Sequence, residues 1–174
     1  MAKKTALPAF GAEFGGGYFS GEIVVNGERF ALVVAPKAEG EKMDLEYKLK
    51  DRGTSDGSIS DDDGFFNSNL INDANHPAAQ FCKSLRIAGH DDWHLPSRDE
   101  LMRIWMALGP NRVNTPELFK SGAAEAFEER WYWSSTEYAH ASFYAWMVDF
   151  DIGDQFITSK ISYCGVRAVR RLKI

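Results

Sequence analysis

The sequence predicts an α+β protein, a twisted and mostly antiparallel sheet flanked by two main helices and preceded by an N-terminal β-hairpin module. Three stretches predict it. The first is Val166–Leu172, where Val166, Ala168 and Val169 against Arg167, Arg170 and Arg171 give the inward and outward period of two of a half-buried strand. Phe143–Phe150 and Gln155–Ser159 are its expected neighbours. The second is Tyr18–Val34, in which Phe19, Ile23 and Val25 lead into Asn26-Gly27 and Arg29–Val34 returns. Asn-Gly supplies the two positive-φ positions of a type I′ turn, so this stretch is a hairpin. The third follows Pro96: Ser97 and Glu100 form a capping box, and Leu101, Ile104, Trp105 and Leu108 make the apolar stripe of a helix that Gly109-Pro110 ends.

The remaining elements follow in order. Residues 1–17 form an arm rich in Ala and Gly, with Phe10 and Phe14 as isolated anchors. Such an arm either stays mobile or orders along another subunit, and the two Phe residues favour the second. Residues 18–64 hold the hairpin module and then a charged, loop-like stretch with one short strand expected around Leu45–Leu49. Its run Asp61-Asp62-Asp63 reads as a solvated loop. Consecutive side chains of an extended segment point in opposite directions, whereas a metal needs converging oxygens. Residues 65–174 form the main domain. Within it Pro77 suits a first helical turn, Phe81, Leu85 and Ala88 share a face, and Gly89 is the stop. Thr115-Pro116-Glu117 opens a shorter helix by the same logic, reaching to Phe127.

Composition narrows the function. The chain has 174 residues, 44% of them hydrophobic, enough for one generous core with a small appendage but not for a second full domain. A net charge of -5 disfavours a nucleic-acid backbone or an anionic membrane surface as partner. No apolar run is long enough to span or insert into a membrane, and Met1-Ala2-Lys3-Lys4 is not followed by an apolar signal core, so cytoplasmic synthesis is expected.

Three separated blocks, DDWHLPSRDEL at Asp91–Leu101, YWSST at Tyr132–Thr136 and GVRAVRRL at Gly165–Leu172, resemble the phage and bacterial family of C-type-lectin-like domains. That family includes the variable proteins of diversity-generating retroelements and is distantly similar to formylglycine-generating enzymes. Gly16–Glu41 resembles the N-terminal module that precedes the domain in phage-encoded relatives. The resemblance implies a C-type-lectin-like fold, a homotrimer and a place in a virion. Secreted lectin-like domains often tie their first helix to their last strand, and Cys82 and Cys164 fall near those elements, which leaves a bridge possible. Two reduced, buried thiols are favoured, because cytoplasmic synthesis keeps thiols reduced. In retroelement-diversified relatives the variable positions are drawn from Tyr, Phe, Ser, Asp, His, Ile, Thr, Ala, Gly and Cys. Most fillers from Ala139 to Gly165 belong to that set, Met147 excepted, which leaves open whether this segment is diversified.

Candidate reactive groups were weighed individually. Asp149-Phe150-Asp151-Ile152-Gly153-Asp154 departs from a calcium loop at Gly153 and again at Lys160, where a bidentate Glu is required. The Glu-Pro-Asn and Gln-Pro-Asp motifs of calcium-dependent sugar binders are absent. Ser134, Ser135, His140 and Asp149 lack a nucleophile elbow. His76, His90, His94 and His140 lack zinc-ligand spacing. Cys164 stands alone in the C-terminal half, so the paired-cysteine chemistry of the formylglycine-generating relatives is not carried over. No catalysis, cofactor or metal is expected.

Trp93, Trp133 and Trp146 sit within family-like blocks and are expected to be buried. The residues between the blocks are of another kind: His140, Ser142, Phe143, Tyr144, Asp149, Asp151, Asp154, Phe156, Thr158, Ser162 and Tyr163, with Ile152 and Ile157 among them. Rings beside short hydroxyl and carboxylate groups are the chemistry of adaptable binding faces. The expected function is a non-catalytic phage virion component at the tail tip or tail fibre, binding a host-surface protein or glycan as receptor. The alternative is a structural virion protein, decorating a capsid or joining tail or baseplate parts, that uses the same face against other virion proteins.

Overall fold

The computed structural model describes residues 6–174. It is α+β, with two mostly antiparallel sheets and few helices. The first sheet has the order β1-β2-β3-β9, with β1 at Glu13–Phe14, β2 at Gly17–Val25, β3 at Glu28–Val34 and β9 at Val169–Lys173. The second has the order β4-β8-β5-β6-β7, with β4 at Glu41–Leu45, β5 at Trp131–Glu137, β6 at Tyr144–Asp149, β7 at Gln155–Ser159 and β8 at Cys164–Arg167. Every pair is antiparallel except β5 with β8. The helices are a single turn α1 at Lys37–Gly40, α2 at Gly64–Leu70, α3 at Pro77–Ser84 and α4 at Arg98–Leu108.

The hairpin forms where the sequence places it. β2 and β3 join through Asn26 and Gly27, both at positive φ (51° and 79°). The capping box closes as written: Ser97 Oγ accepts the Glu100 N–H at 3.2 Å, and Glu100 Oε2 accepts the Ser97 N–H at 2.8 Å. The stripe Leu101, Ile104 and Leu108 is buried against Ile23, Leu32, Val34, Tyr132 and Val148. A second core gathers Trp93, Trp133, Met147, Val166, Cys82 and Cys164 beneath α3.

The C-terminal stretch departs most from expectation. It is two strands in two sheets, divided at Ala168, whose N–H bonds to Gly40 and whose carbonyl accepts from Ala35. Its neighbours are β4 and β5 for β8, and β3 for β9, whereas Phe143–Phe150 and Gln155–Ser159 pair with each other. Because the chain runs between the two cores, Cys164 through Arg170 are all buried and the inward and outward reading of the arginines fails. Each guanidinium instead has a fixed carboxylate: Arg167 on Glu125 (2.5 Å), Arg170 on Asp92 (2.7 Å) and Arg171 on Asp63 (2.8 Å).

Other differences have local causes. The acidic run is not all solvated, since Asp63 is buried and caps the unforeseen α2 by accepting the Phe66 N–H at 2.8 Å. α3 stops at Ser84, short of Gly89, because Leu85 turns extended so that buried Ile87 pairs with His90 across Ala88 and Gly89. Thr115 gives its hydroxyl to the Gly109 carbonyl instead of capping a helix, and only a single 3₁₀ turn, Glu117–Phe119, follows Pro116. The short strand lies at Glu41–Leu45, ahead of the expected Leu45–Leu49. The expectation for the arm at Met1–Thr5 lies outside the described residues. From residue 6 the arm folds onto its own chain: Phe10 stacks on Phe19 (5.9 Å between centroids), and Phe14 packs against the second core.

These carboxylate pairs set the acid response. Partial burial pushes the Asp92 carboxyl up, but the Arg170 fork beside it outweighs this and holds it below the usual range. Asp56 is likewise held low against burial by Lys48 and His76. A carboxyl whose folded pKa is depressed stabilises the protein above its unfolded value, about 3.9, and that contribution goes as pH falls through the folded value. Thermal melts should therefore show a midpoint that drops progressively below about pH 5, and Asp92→Asn should flatten part of that drop.

Candidate binding face

The β6–β7 hairpin carries most of the sequence-predicted residues. It forms one border of the second sheet, with Ala145 opposite Thr158, Trp146 opposite Ile157 and Met147 opposite Phe156. Alternation divides the side chains. Ala145 and Met147 enter the core beneath α3, so Thr158 and Phe156 lie on that side. Tyr144, Trp146, Ile157 and Gln155 take the side on which α4 packs.

The structure does not bring the predicted residues to one spot. Phe156 and Thr158 are on the α3 side, where Thr158 Oγ1 lies 2.9 Å from Ser162 Oγ and Tyr163 stands exposed in the following turn. Tyr144 is on the α4 side. His140, Ser142 and Phe143 lie in the loop before β6. There Ser142 Oγ donates to the Gly53 carbonyl at 2.5 Å and the Phe143 ring lies against Gly53. Asp149 accepts from Trp131 Nε1 and from the Asp151 N–H, both at 3.0 Å. Asp151 Oδ1 accepts from Asn111 Nδ2 at 2.9 Å, and the backbone carbonyl of Asp154 accepts from the Asp149 N–H. Five of these polar side chains, Ser142, Asp149, Asp151, Thr158 and Ser162, are thus engaged within the chain. The rings remain outside: Trp131 is 47% exposed, Phe143 56%, Tyr144 41%, Phe156 44% and Tyr163 63%.

Three signals were not read from the sequence. Trp146, expected to be buried, is only half-buried, with the Arg98 guanidinium 4.2 Å above it and the Tyr138 ring edge-on at 5.6 Å. Arg98 Nε also donates to Gln155 Oε1 at 2.6 Å, so the start of α4 is fastened to the hairpin. Beneath the loops lies a buried charge network. Lys160 Nζ is 2.6 Å from Glu137 Oε2 and 3.8 Å from Asp56 Oδ2, Lys48 Nζ is 2.6 Å from Asp56, and His76 bridges Asp56 (3.1 Å) and Asp73 (2.8 Å). A Lys directly after a strand gives no sign that it points inward.

Ser134 and Ser135 are buried, and Ser134 Oγ donates to the Trp146 carbonyl at 2.8 Å. Among the described residues no three His, Cys, Asp or Glu side chains are grouped so as to hold a metal. Three cavities of about 440 to 660 Å³ lie between the arm, β2 and α4, beside Lys37 and Arg130, and around Gly15–Gly17. No described helix is long and apolar enough to cross a membrane.

Cys82 and Cys164 are both free thiols in the core. Burial raises both, Cys164 to about 12. The thiolate is the reactive form. A thiol reagent at pH 8 should therefore leave the folded protein unlabelled and modify both cysteines once denaturant is added, as read by intact mass.

A family model described as the Lcl C-terminal domain matches residues 44–170. No curated protein matches the chain.

Proposed function

Since the chain belongs to the Lcl C-terminal domain family, we propose that it is a non-catalytic binding protein with a C-type-lectin-like scaffold, carried in a phage virion at the tail tip or fibre. In this reading the border of the second sheet, β6 and β7 with β5 and the adjoining loops, recognises a host-surface protein or glycan with rings presented on both of its sides. The observation that carries it is the set of exposed rings, Trp131, Tyr144 and Phe156 on β5, β6 and β7, with Phe143 and Tyr163 in the adjoining loops, beside strands β5 and β6 whose other residues are mostly buried. Rings held by a rigid sheet offer contact area at little entropic cost, and aromatic residues are enriched where proteins meet partners. Self-association would make several such faces available at once and raise avidity over a weak single site.

A structural role in the particle is the second reading, favoured by the exposed, uncharged border strand β7. Particles carrying Tyr144→Ala, Phe156→Ala and Tyr163→Ala together separate the two. Intact particles that adsorb at least tenfold less support receptor binding, and failure to assemble supports the structural role.

A further inference from the structure

The four sheet borders differ in how they are protected, and the difference concerns β7. Exposed edges invite pairing with another chain and are ordinarily blunted by brevity, charge, Pro or bulges. β1 has two residues. β9 carries Arg170, Arg171 and Lys173, and β4 carries Glu41, Lys42 and Asp44 with an irregularity in its register. β7, Gln155-Phe156-Ile157-Thr158-Ser159, has no charge, no Pro and no register shift against β6. Its Phe156 and Ile157 are 44% and 38% exposed, on opposite sides of the sheet.

The hydrogen bonds fix which groups face outward. Asp149 N donates to Asp154 O (2.9 Å) and Lys160 N donates to Phe143 O (3.0 Å). Antiparallel ladders alternate, so the even-numbered residues of β7 bond to β6. Gln155, Ile157 and Ser159 therefore turn their N–H and C=O groups to the open side, where the Ser159 carbonyl also accepts from Ser162 N at 2.8 Å.

We propose that β7 pairs antiparallel with β7 of a second copy of this chain about a two-fold axis at Ile157, joining two five-stranded sheets into one. The register is self-complementary. Ile157 meets its own copy as a hydrogen-bonded pair, Gln155 faces Ser159 of the second copy, and Phe156 faces Thr158 of the second copy on the α3 side. A two-fold sets the central residue against its own copy, so the centre of a self-pairing border must lack charge. β7 meets that condition with Ile157, whereas β9 would set Arg171 against its own copy and the register of β4 is already irregular. This pair is closed, so the three-fold assembly implied by the sequence resemblance would need a different surface. The inference does not depend on what the exposed rings bind.

The test is mass and proximity in the full chain. Light scattering should give twice 19.5 kDa, and Ile157→Lys should return the mass to that of one chain with an unchanged near-ultraviolet spectrum. Hydrogen-bonded antiparallel partners lie about 5.5 Å apart at Cα, within disulfide reach. Oxidised Ile157→Cys should therefore run as a covalent dimer on a non-reducing gel, while Ile161→Cys, exposed in the next turn, should not. A wild-type monomer, a trimer, or a dimer in which Ile157→Cys crosslinks no better than Ile161→Cys would each overturn the pairing.

Discussion

Arg167→Ala is expected to destabilise the protein by about 3–5 kcal/mol, since removing one partner of a buried ion pair leaves the other charge uncompensated. The guanidinium is 1% exposed, and its donors are distributed over Ala35 O at 2.9 Å, Glu125 O at 2.8 Å and Glu125 Oε2 at 2.5 Å. Its plane lies 4.8 Å from the Phe127 ring. Glu41, which accepts the Tyr132 hydroxyl at 2.9 Å, is already lifted above the usual carboxylate range by burial, and Arg167 is the main influence opposing that. Without Arg167, the Ala35 and Glu125 carbonyls lose their donor, the Glu125 carboxylate loses one of its two donors, and Glu41 loses a cation at 3.6 Å. For a domain of this size the melting temperature should fall by about 10 °C or more. Arg167→Lys should recover little of it, because a single ammonium cannot reproduce the fork.

Lys160→Ala should cost about as much, again about 3–5 kcal/mol, and should act on the candidate face as well as on stability. Lys160 is fully buried, with Glu137 at 2.6 Å and the Tyr47 ring 5.4 Å away. Its backbone also accepts from Tyr47 and Lys48 and donates to Phe143, so one residue fastens the turn after β7, the loop before β6 and the segment following β4. Replacing the pair together, Lys160→Met with Glu137→Leu, should restore more than half of the lost stability, because two apolar groups of similar shape avoid an unpaired buried charge. Chemical denaturation of the single and double variants measures this. Equal losses in both would mean that packing, not charge, sets the cost.

The legible parts of the fold were those written in local chemistry. Asn26-Gly27 and Ser97–Glu100 specify a turn and a helix start whatever surrounds them. The strands expected at Phe143–Phe150 and Gln155–Ser159 form to within a residue at each end, but they pair with each other and not with the C-terminal stretch. Alternation failed at Arg167, Arg170 and Arg171, where both sides are covered and long side chains reach carboxylates 42 to 108 positions distant. Long-range pairing of that kind leaves no local trace. The helix expected after Thr115 failed for the opposite reason, since a good cap was diverted by the Gly109 carbonyl. At the candidate face the exposed rings were readable as a composition. Their division between two sides of one hairpin, and the clasp of Arg98 on Trp146, were not, because each depends on the register of β7 against β6.

Under the proposed function, the rings of this hairpin and its loops serve contact with another macromolecule and not the integrity of the chain. Binding of the purified protein to host cells, compared with that of the Tyr144→Ala, Phe156→Ala and Tyr163→Ala triple variant, measures it most directly when each sample's melting temperature is recorded alongside. A melting temperature within about 5 °C of wild type is expected, as for other exposed positions, with binding reduced at least tenfold. Undiminished binding by a folded triple variant would contradict the proposed function.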